Sequence, residues 1–185
     1  MPIGVLWKQR PSEESLSGFA EALREGLEKP ENHVFKCIDT ELDGKLIAVA
    51  KWSVYEKPRS AEEVESNFVL RKTSPEDNAE ALLEFMQGIW QSRREFMGEK
   101  AHVMLDTLLC HPDHHRRGAG KLLMQWGLDK ADELGLPSYL EGSIAGVRLY
   151  ESVGYVPQRE IVFDATKYGG NVKDIHMVSL NNSLV

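Results

Sequence analysis

The feature that most constrains the fold is an apolar run followed at once by a glycine-containing loop and an amphipathic helix. Residues 102–110, HVMLDTLLC, are almost entirely apolar, which is typical of a strand covered on both faces. The loop HPDHHRRGAG follows at 111–120. Residues 120–135 then show helical spacing of their apolar side chains, Leu123, Trp126, Ala131 and Leu134. A buried strand that leads through such a loop into a helix predicts an α/β domain.

The rest of the chain alternates between helix and strand patterns. Before this segment the order is helix, two strands and helix, with predicted bounds of 12–28, 33–39, 45–55 and 74–98. After it come strand, helix and two strands, at 136–142, 143–154, 155–164 and 173–180. Ser12 and Ser74 are the predicted caps of the first two helices, with Pro75 at the first position of the second. Because no repeat or linker interrupts this order, we predict one domain over residues 1–185.

Composition excludes some partners. The 185 residues are 42% hydrophobic, and 22 Lys and Arg against 29 Asp and Glu leave a net charge of -7. This acidic balance disfavours nucleic acid and anionic membranes as partners. Cys37 and Cys110 both lie in apolar, strand-like runs, so they indicate buried thiols in a reducing compartment. With no secretory leader and no long apolar segment, the sequence predicts a cytoplasmic protein.

The loop at 111–120 allows three interpretations. His111, His114 and His115 invite a metal site, but they share one turn with no second ligand cluster, so we predict no metal. A polar turn without function is the second interpretation. The third is an anion site, because a helix that begins directly after Gly118 and Gly120 offers free backbone N–H groups at its positive end.

Two motifs resemble those of a known family, the GNAT (GCN5-related) N-acetyltransferases. Residues 115–120, His-Arg-Arg-Gly-Ala-Gly, are similar to the family's Gln/Arg-x-x-Gly-x-Gly/Ala loop. Residues 149–155, LYESVGY, are similar to its Leu-Tyr-x-x-x-Gly-Phe/Tyr helix. The resemblance covers about residues 33–180. It is strongest to fungal-type members whose substrate is undefined. It implies a mixed, mostly antiparallel sheet flanked by helices, with acetyl-CoA as cosubstrate and direct transfer of the acetyl group to an amine. We expect this amine to be a small molecule rather than a protein tail.

The resemblance also implies the site. The cofactor-binding residues would be Leu109, Cys110, His115, Arg116, Arg117, Gly118, Ala119, Gly120, Lys121 and Ser143. Tyr150 would protonate the leaving thiolate, with a core tyrosine as the alternative. An amine with a pKa of ~10.4 must lose its proton before attack, so a general base is required. Asp106 is the residue predicted for this role. A carboxylate paired with a core polar group is the alternative for Asp106, and Glu141 is the reserve base.

The chain also departs from the family pattern. His115 stands where Gln or Arg is usual, and Ser143 stands where many members have Asn. The strand that precedes the first helix is missing, so part of the acceptor site is expected to be absent, truncated or supplied by a second chain, as in a homodimer. Trp52, Glu141 and the helix around Trp90 are the expected acceptor side. An acyl-CoA-binding regulatory or scaffold protein without turnover, and an acyltransferase for another acyl chain or acceptor, are the alternative functions.

Overall fold

The fold is described by a computed structural model that covers residues 2–170 and 173–181. Its six strands form one sheet in the order β1-β2-β3-β4-β6-β5. Their bounds are β1 Asn32–Asp39, β2 Lys45–Tyr55, β3 His102–Cys110, β4 Ser138–Ser143, β5 Val156–Asp164 and β6 Lys173–Asn181. The β3–β4 pair is parallel and the other neighbours are antiparallel. The predicted mixed, mostly antiparallel sheet is confirmed.

Five α-helices accompany the sheet in the described part of the chain. They are α1 Glu13–Leu27, α2 Ala61–Ser66, α3 Ala79–Phe96, α4 Ala119–Leu134 and α5 Val147–Glu151. Ser12 caps α1 as predicted, since its hydroxyl oxygen accepts from the Ser15 N–H at 3.2 Å. The short helix α2 was not predicted, although its signal is present in the sequence. Ser60 and Glu63 form a reciprocal capping box.

The predicted start of α3 at Ser74 and Pro75 is wrong. The Asp77 carboxylate accepts from the Ser74 N–H at 2.7 Å and from both terminal nitrogens of Arg71, each at 2.7 Å. These bonds hold residues 74–77 in a turn instead of a helix. The N–H of Asn78 donates to the Leu6 carbonyl at 2.9 Å, and Asn78 is the residue that caps α3. The helix therefore begins four residues later than its sequence signals indicate.

The N-terminal residues that the structure describes contain no strand of the sheet. Residues Pro2–Leu6 form a 3-10 turn, and Trp7 makes one isolated antiparallel bridge with Asp77. Within the described ranges, the helices all fall short of the length and apolarity that a membrane span requires.

The sheet is covered on both faces. On one face Met124 of α4 belongs to the same core cluster as Trp52 and Leu140 of the sheet. Each of these three side chains has essentially no exposed surface. Trp52 donates through Nε1 to the Leu123 carbonyl at 3.2 Å, and a Cβ on Gly127 would lie 2.3 Å from its ring. Trp52 is therefore a core residue and does not form part of the acceptor side. On the other face, the end of α3 packs over Met104 and Tyr139.

The parallel pair β3–β4 separates after a short distance. Val103, Met104 and Leu105 pair with residues 138–140, and the pairing ends there. In β3 the next residue, Asp106, lies in a β-bulge, because Trp52 of β2 pairs with Leu105 while Lys51 pairs with Thr107. A bulge bends the strand that carries it. We call the point where the two strands diverge, at Asp106 and Glu141, the fork.

Candidate active site

A cleft of about 570 Å³ opens beyond the fork, between the end of β3, the start of α4 and the segment from β4 to α5. This volume suits a ligand-binding pocket. Nine of the ten residues predicted to bind the cofactor line it, namely Leu109, Cys110, His115, Arg116, Gly118, Ala119, Gly120, Lys121 and Ser143. Tyr150, the predicted acid, also lines it. The structure thus brings together residues that are up to 41 positions apart in the sequence.

Arg117 is the tenth, and its side chain lies elsewhere. Its guanidinium forms an ion pair with Asp39 at the end of β1, and Nη1 lies 3.1 Å from Nδ1 of His114. The hydrogen bond from Arg117 lowers the pKa of the Asp39 carboxyl. Arg117 therefore ties the loop to the first hairpin and does not place its charge along the cleft.

The start of α4 offers unpaired backbone donors to the cleft. Its N-cap is Gly118, at φ 88°, and no side chain caps this end. The Leu122 N–H donates to the Gly118 carbonyl at 3.0 Å, which leaves the N–H groups of Ala119, Gly120 and Lys121 without the intrahelical partners that later residues have. Arg116, at φ 61°, takes the left-handed conformation that precedes this turn. The loop has the features of an anion cradle, with the cations of Arg116 and Lys121 beside it.

Tyr150 lies on α5 with its ring buried and its residue 8% exposed. A Cβ on Gly142 would lie 2.3 Å from the ring, and one on Gly146 would lie 2.6 Å from it, so two glycines provide its space. Among residues 2–170 and 173–181, no group hydrogen-bonds the Tyr150 hydroxyl. Burial raises the pKa of this phenol, which keeps it protonated at neutral pH. The arrangement leaves an uncommitted proton donor in the wall of the cleft.

Ser143 ends β4 and precedes a short 3-10 turn. It occupies the N-cap position of the 3-10 turn Ile144–Gly146, but its side chain makes no capping bond. Because Ser143 lines the cleft, its hydroxyl is available to a ligand there.

The two candidate bases lie at the fork, on the α3 face of the sheet. Asp106 has Nζ of Lys51 3.4 Å from Oδ2 and Nη1 of Arg93 3.7 Å from Oδ1. The Ser53 hydroxyl is in hydrogen-bond contact with the same Oδ2. The Asp106 side chain is 14% exposed. Both of its oxygens therefore already have protein partners.

Glu141 is more completely engaged. Arg93 donates from Nε to Oε1 at 2.9 Å and from Nη2 to Oε2 at 3.0 Å, and the Tyr139 hydroxyl donates to Oε1 at 2.8 Å. The Glu141 side chain is 4% exposed. Burial acts to lower the pKa of Arg93, but Glu141 and then Asp106 raise it overall, so its charge is secure. This bidentate pair has the geometry of a structural ion pair.

Comparison with known proteins identifies the family. A family model described as the acetyltransferase (GNAT) family matches residues 4–155. The chain belongs to this family. The sequence-based prediction of a GNAT-family acyltransferase is therefore confirmed.

Solved structures share the fold of this GNAT-family chain at low sequence identity. A mosquito arylalkylamine N-acetyltransferase-like protein, 5b, has a TM-score of 0.62 at 14% identity over 97% of this chain and 86% of that one. An agmatine N-acetyltransferase mutant has a TM-score of 0.61 at 13% identity over 95% and 85%. A probable acyltransferase named SID5, from Ajellomyces capsulatus, is 45% identical over 40 residues. That match spans 22% of this chain and 29% of the relative.

The histidines of the GNAT loop point to different partners. His115 has Nε2 3.1 Å from the Cys110 carbonyl, while His114 is buried beside Arg117. In the part of the chain that the structure describes, no group of three or more His, Cys, Asp or Glu side chains is placed to hold a metal ion.

The sequence-based predictions do not include Arg93, Lys51 or Ser53. Arg93 carried a usable signal, because it follows Ile89 and Trp90 at the spacing of their own helix face. A charged residue on a buried helix face requires a partner of opposite charge. Only the identity of that partner was beyond the sequence.

Proposed function

We propose that this chain is an acetyl-CoA-dependent N-acetyltransferase that transfers the acetyl group directly to a small-molecule amine. The observation that carries this proposal is the meeting, in one cleft, of the uncapped start of α4 and the hydroxyl of Tyr150, which none of the described residues hydrogen-bonds. The first feature suits a diphosphate, and the second suits a leaving group that needs a proton. The names of the two structural relatives, which describe amine acetyltransferases, support an amine as acceptor.

The cleft residues fit the cosubstrate. The N–H groups of Ala119, Gly120 and Lys121 would hold the diphosphate, since nothing in the described chain caps them. Leu109 and Cys110, past the end of the β3–β4 pairing, would offer backbone groups to the pantetheine arm. When bound, acetyl-CoA supplies an activated acyl thioester. The protein has to position it, receive a neutral amine and provide one proton.

Tyr150 provides that proton in our proposal. An ordinary phenol has a pKa of ~10 and a thiol ~8.5, so proton transfer to the thiolate is uphill by about 2 kcal/mol. Burial raises the pKa of Tyr150. The same surroundings disfavour a thiolate anion in the cleft, so the two effects oppose each other. Tyr150 is thus suited to act as a general acid at neutral pH.

The loop should bind CoA through its backbone. We expect Gly120→Pro to weaken CoA binding at least tenfold, or about 1.4 kcal/mol, because proline removes one N–H donor. We expect His115→Ala to cost less, since the His115 ring contacts the Cys110 carbonyl and the cradle is built of main chain. Calorimetric titration with CoA measures both.

Gly120→Ala is the matched control for this experiment. It keeps the N–H and adds a Cβ that would lie 3.0 Å from the Leu149 side chain, which is flexible enough to move. If alanine weakened CoA as much as proline, crowding and not the lost donor would be responsible. A larger loss for His115→Ala than for Gly120→Pro would contradict the backbone account.

Asp106 is the predicted base, and its contacts suggest a different outcome for its removal. At pH 7 an amine of pKa ~10.4 requires about 4.6 kcal/mol to lose its proton. A true base contributes ~10²–10⁴-fold, and its loss is compensated as the amine deprotonates at high pH. Because Lys51, Arg93 and Ser53 already engage Asp106, we expect Asp106→Asn to lower turnover about tenfold or less, equally at every pH.

The pH-rate profile of Asp106→Asn, compared with that of the wild type between pH 6 and 10, decides the question. A loss that is large at neutral pH and recovers at high pH would identify Asp106 as the base. A flat loss would leave deprotonation to water or to another group.

The function itself is tested by release of free thiol from acetyl-CoA in the presence of a panel of small amines. Amine-dependent thiol release supports the proposal. CoA binding without turnover for any amine would favour a regulatory or scaffold protein. Faster reaction with longer acyl-CoA, or with alcohols, would favour an acyltransferase of different specificity.

A further inference from the structure

The fork presents one carboxylate on each of its two strands. Leu105 and Leu140 are the last paired residues, and both pack in the core on the α4 face. Asp106 and Glu141 follow them directly and lie on the α3 face, where both contact Arg93. Two carboxylates that face the same side of diverging strands would repel each other without a cation between them.

Arg93 of α3 is the cation that connects the two strands. Its Nε and Nη2 bind Glu141 on β4 at 2.9 and 3.0 Å, and its Nη1 lies 3.7 Å from Asp106 on β3. All three guanidinium nitrogens are used. The Arg93 side chain is 22% exposed, against 14% for Asp106 and 4% for Glu141.

The guanidinium is well suited to setting a distance. It is planar and rigid, and it presents donors in a fork of constant geometry, whereas a lysine ammonium is a point charge on a flexible stem. A planar group bound to both strands fixes their separation at the residues where backbone pairing has ended. The Tyr139 hydroxyl also donates to Oε1 of Glu141, and the Lys51 ammonium lies 3.4 Å from Oδ2 of Asp106, the oxygen that Arg93 does not contact.

The other face of the fork belongs to Tyr150. Gly142 follows Glu141 on β4 and faces the opposite side of the sheet, where a Cβ would meet the Tyr150 ring at 2.3 Å. The opening between β3 and β4 is therefore bounded by Arg93 on the α3 face of the sheet and by Tyr150 on the α4 face.

We infer that Arg93 is a positioning residue, which sets the separation of β3 and β4 at the fork and so the placement of the acyl-bearing arm beside Tyr150. The inference rests on the proposed function. Arg93 does not line the cleft that contains the α4 start. Loss of Arg93 should therefore weaken the binding of the pantetheine arm of CoA and slow acetyl transfer. It should not weaken the binding of the diphosphate.

The test compares two ligands on one protein. The variant is Arg93→Met with Glu141→Gln, which removes the bridge without leaving a buried charge unpaired, because Asp106 keeps Lys51 and glutamine can still accept from Tyr139. The ligands are CoA and 3′-phospho-ADP, which has the diphosphate but no pantetheine arm. By calorimetry we expect CoA binding to weaken at least tenfold and 3′-phospho-ADP binding to change less than twofold, with turnover reduced.

Arg94→Met is the matched control. Arg94 is the next residue on α3 and makes a bidentate ion pair with Glu65, but both side chains are about half exposed. This variant should bind both ligands and turn over acetyl-CoA like the wild type. It shows what loss of an arginine on this helix does without loss of the bridge.

Arg93→Lys provides a second measurement that keeps the buried charge, and it serves if the double variant does not fold. An ammonium cannot span both carboxylates as the guanidinium does. We therefore expect Arg93→Lys, like the double variant, to weaken CoA binding and to leave 3′-phospho-ADP binding nearly unchanged. Lysine that preserved wild-type CoA binding and turnover would overturn the inference, because charge alone would then suffice. Equal weakening of both ligands, or of neither, in the double variant would overturn it as well. A wild-type protein that binds neither ligand would contradict the proposed function instead.

Discussion

Replacing Tyr150 with phenylalanine should lower turnover by about 10²–10⁴-fold while CoA affinity and folding remain nearly unchanged. Phenylalanine keeps the ring that packs against Gly142 and Gly146 and removes the hydroxyl, which has no hydrogen-bond partner within the described residues. The loss is therefore confined to the proton donor. Turnover and CoA dissociation constants, measured on the same preparation, separate the two effects.

Tyr155→Phe is the control for this variant. Tyr155 is also buried and its ring lies 6.4 Å from that of Tyr150, but its hydroxyl is hydrogen-bonded to Ser138 in the core. Removing that hydroxyl should affect stability more than turnover. Full activity in Tyr150→Phe would make Tyr150 a packing residue, and equal losses of turnover and affinity would make it a cosubstrate contact.

Replacing Glu141 with alanine should destabilise the fold by about 3–5 kcal/mol. The change removes the bidentate partner of the largely buried Arg93 and the acceptor of the Tyr139 hydroxyl. Arg93 would retain only the more distant Asp106. For a chain of this size the melting temperature should fall by roughly 6–20 °C, as measured by thermal unfolding with circular dichroism.

Glu65→Ala is the corresponding surface control. Glu65 makes the same bidentate contact with Arg94, but in solvent, so its removal should lower the melting temperature far less than the removal of Glu141. Similar losses for the two variants would refute a structural role of the Glu141 pair. If Glu141→Ala were as stable as the wild type and lost turnover chiefly at neutral pH, Glu141 would be the reserve base predicted from the sequence.

Local sequence signals located most of the secondary structure. The strand at 102–110 agrees with the bounds of β3, because a doubly covered strand must be apolar on both faces. Ser12 caps its helix as predicted. These features depend on a few neighbouring residues. The prediction of where α3 begins was wrong for the opposite reason. The first residue of this helix is set by contacts of Arg71, Asp77 and Leu6, which lie outside it.

Local spacing was sufficient to predict the loop, the helix that follows it and the location of Tyr150, because a backbone cradle and a helix position depend on neighbouring residues. The sequence also determined the family, through two motifs whose order and separation are visible in the chain. The structure placed nine of the ten predicted cofactor residues in one cleft, and their binding roles stay predictions.

Tertiary structure alone decided which charges meet. Arg117 is paired with Asp39, 78 residues away, and Arg93 is paired with Glu141, 48 residues away. Coulombic attraction and the cost of burying an unpaired charge act through space, so the order of residues along the chain does not reveal these pairs. For the same reason Asp106 and Glu141, which the sequence offers as candidate bases, lie in the folded chain on either side of a shared guanidinium.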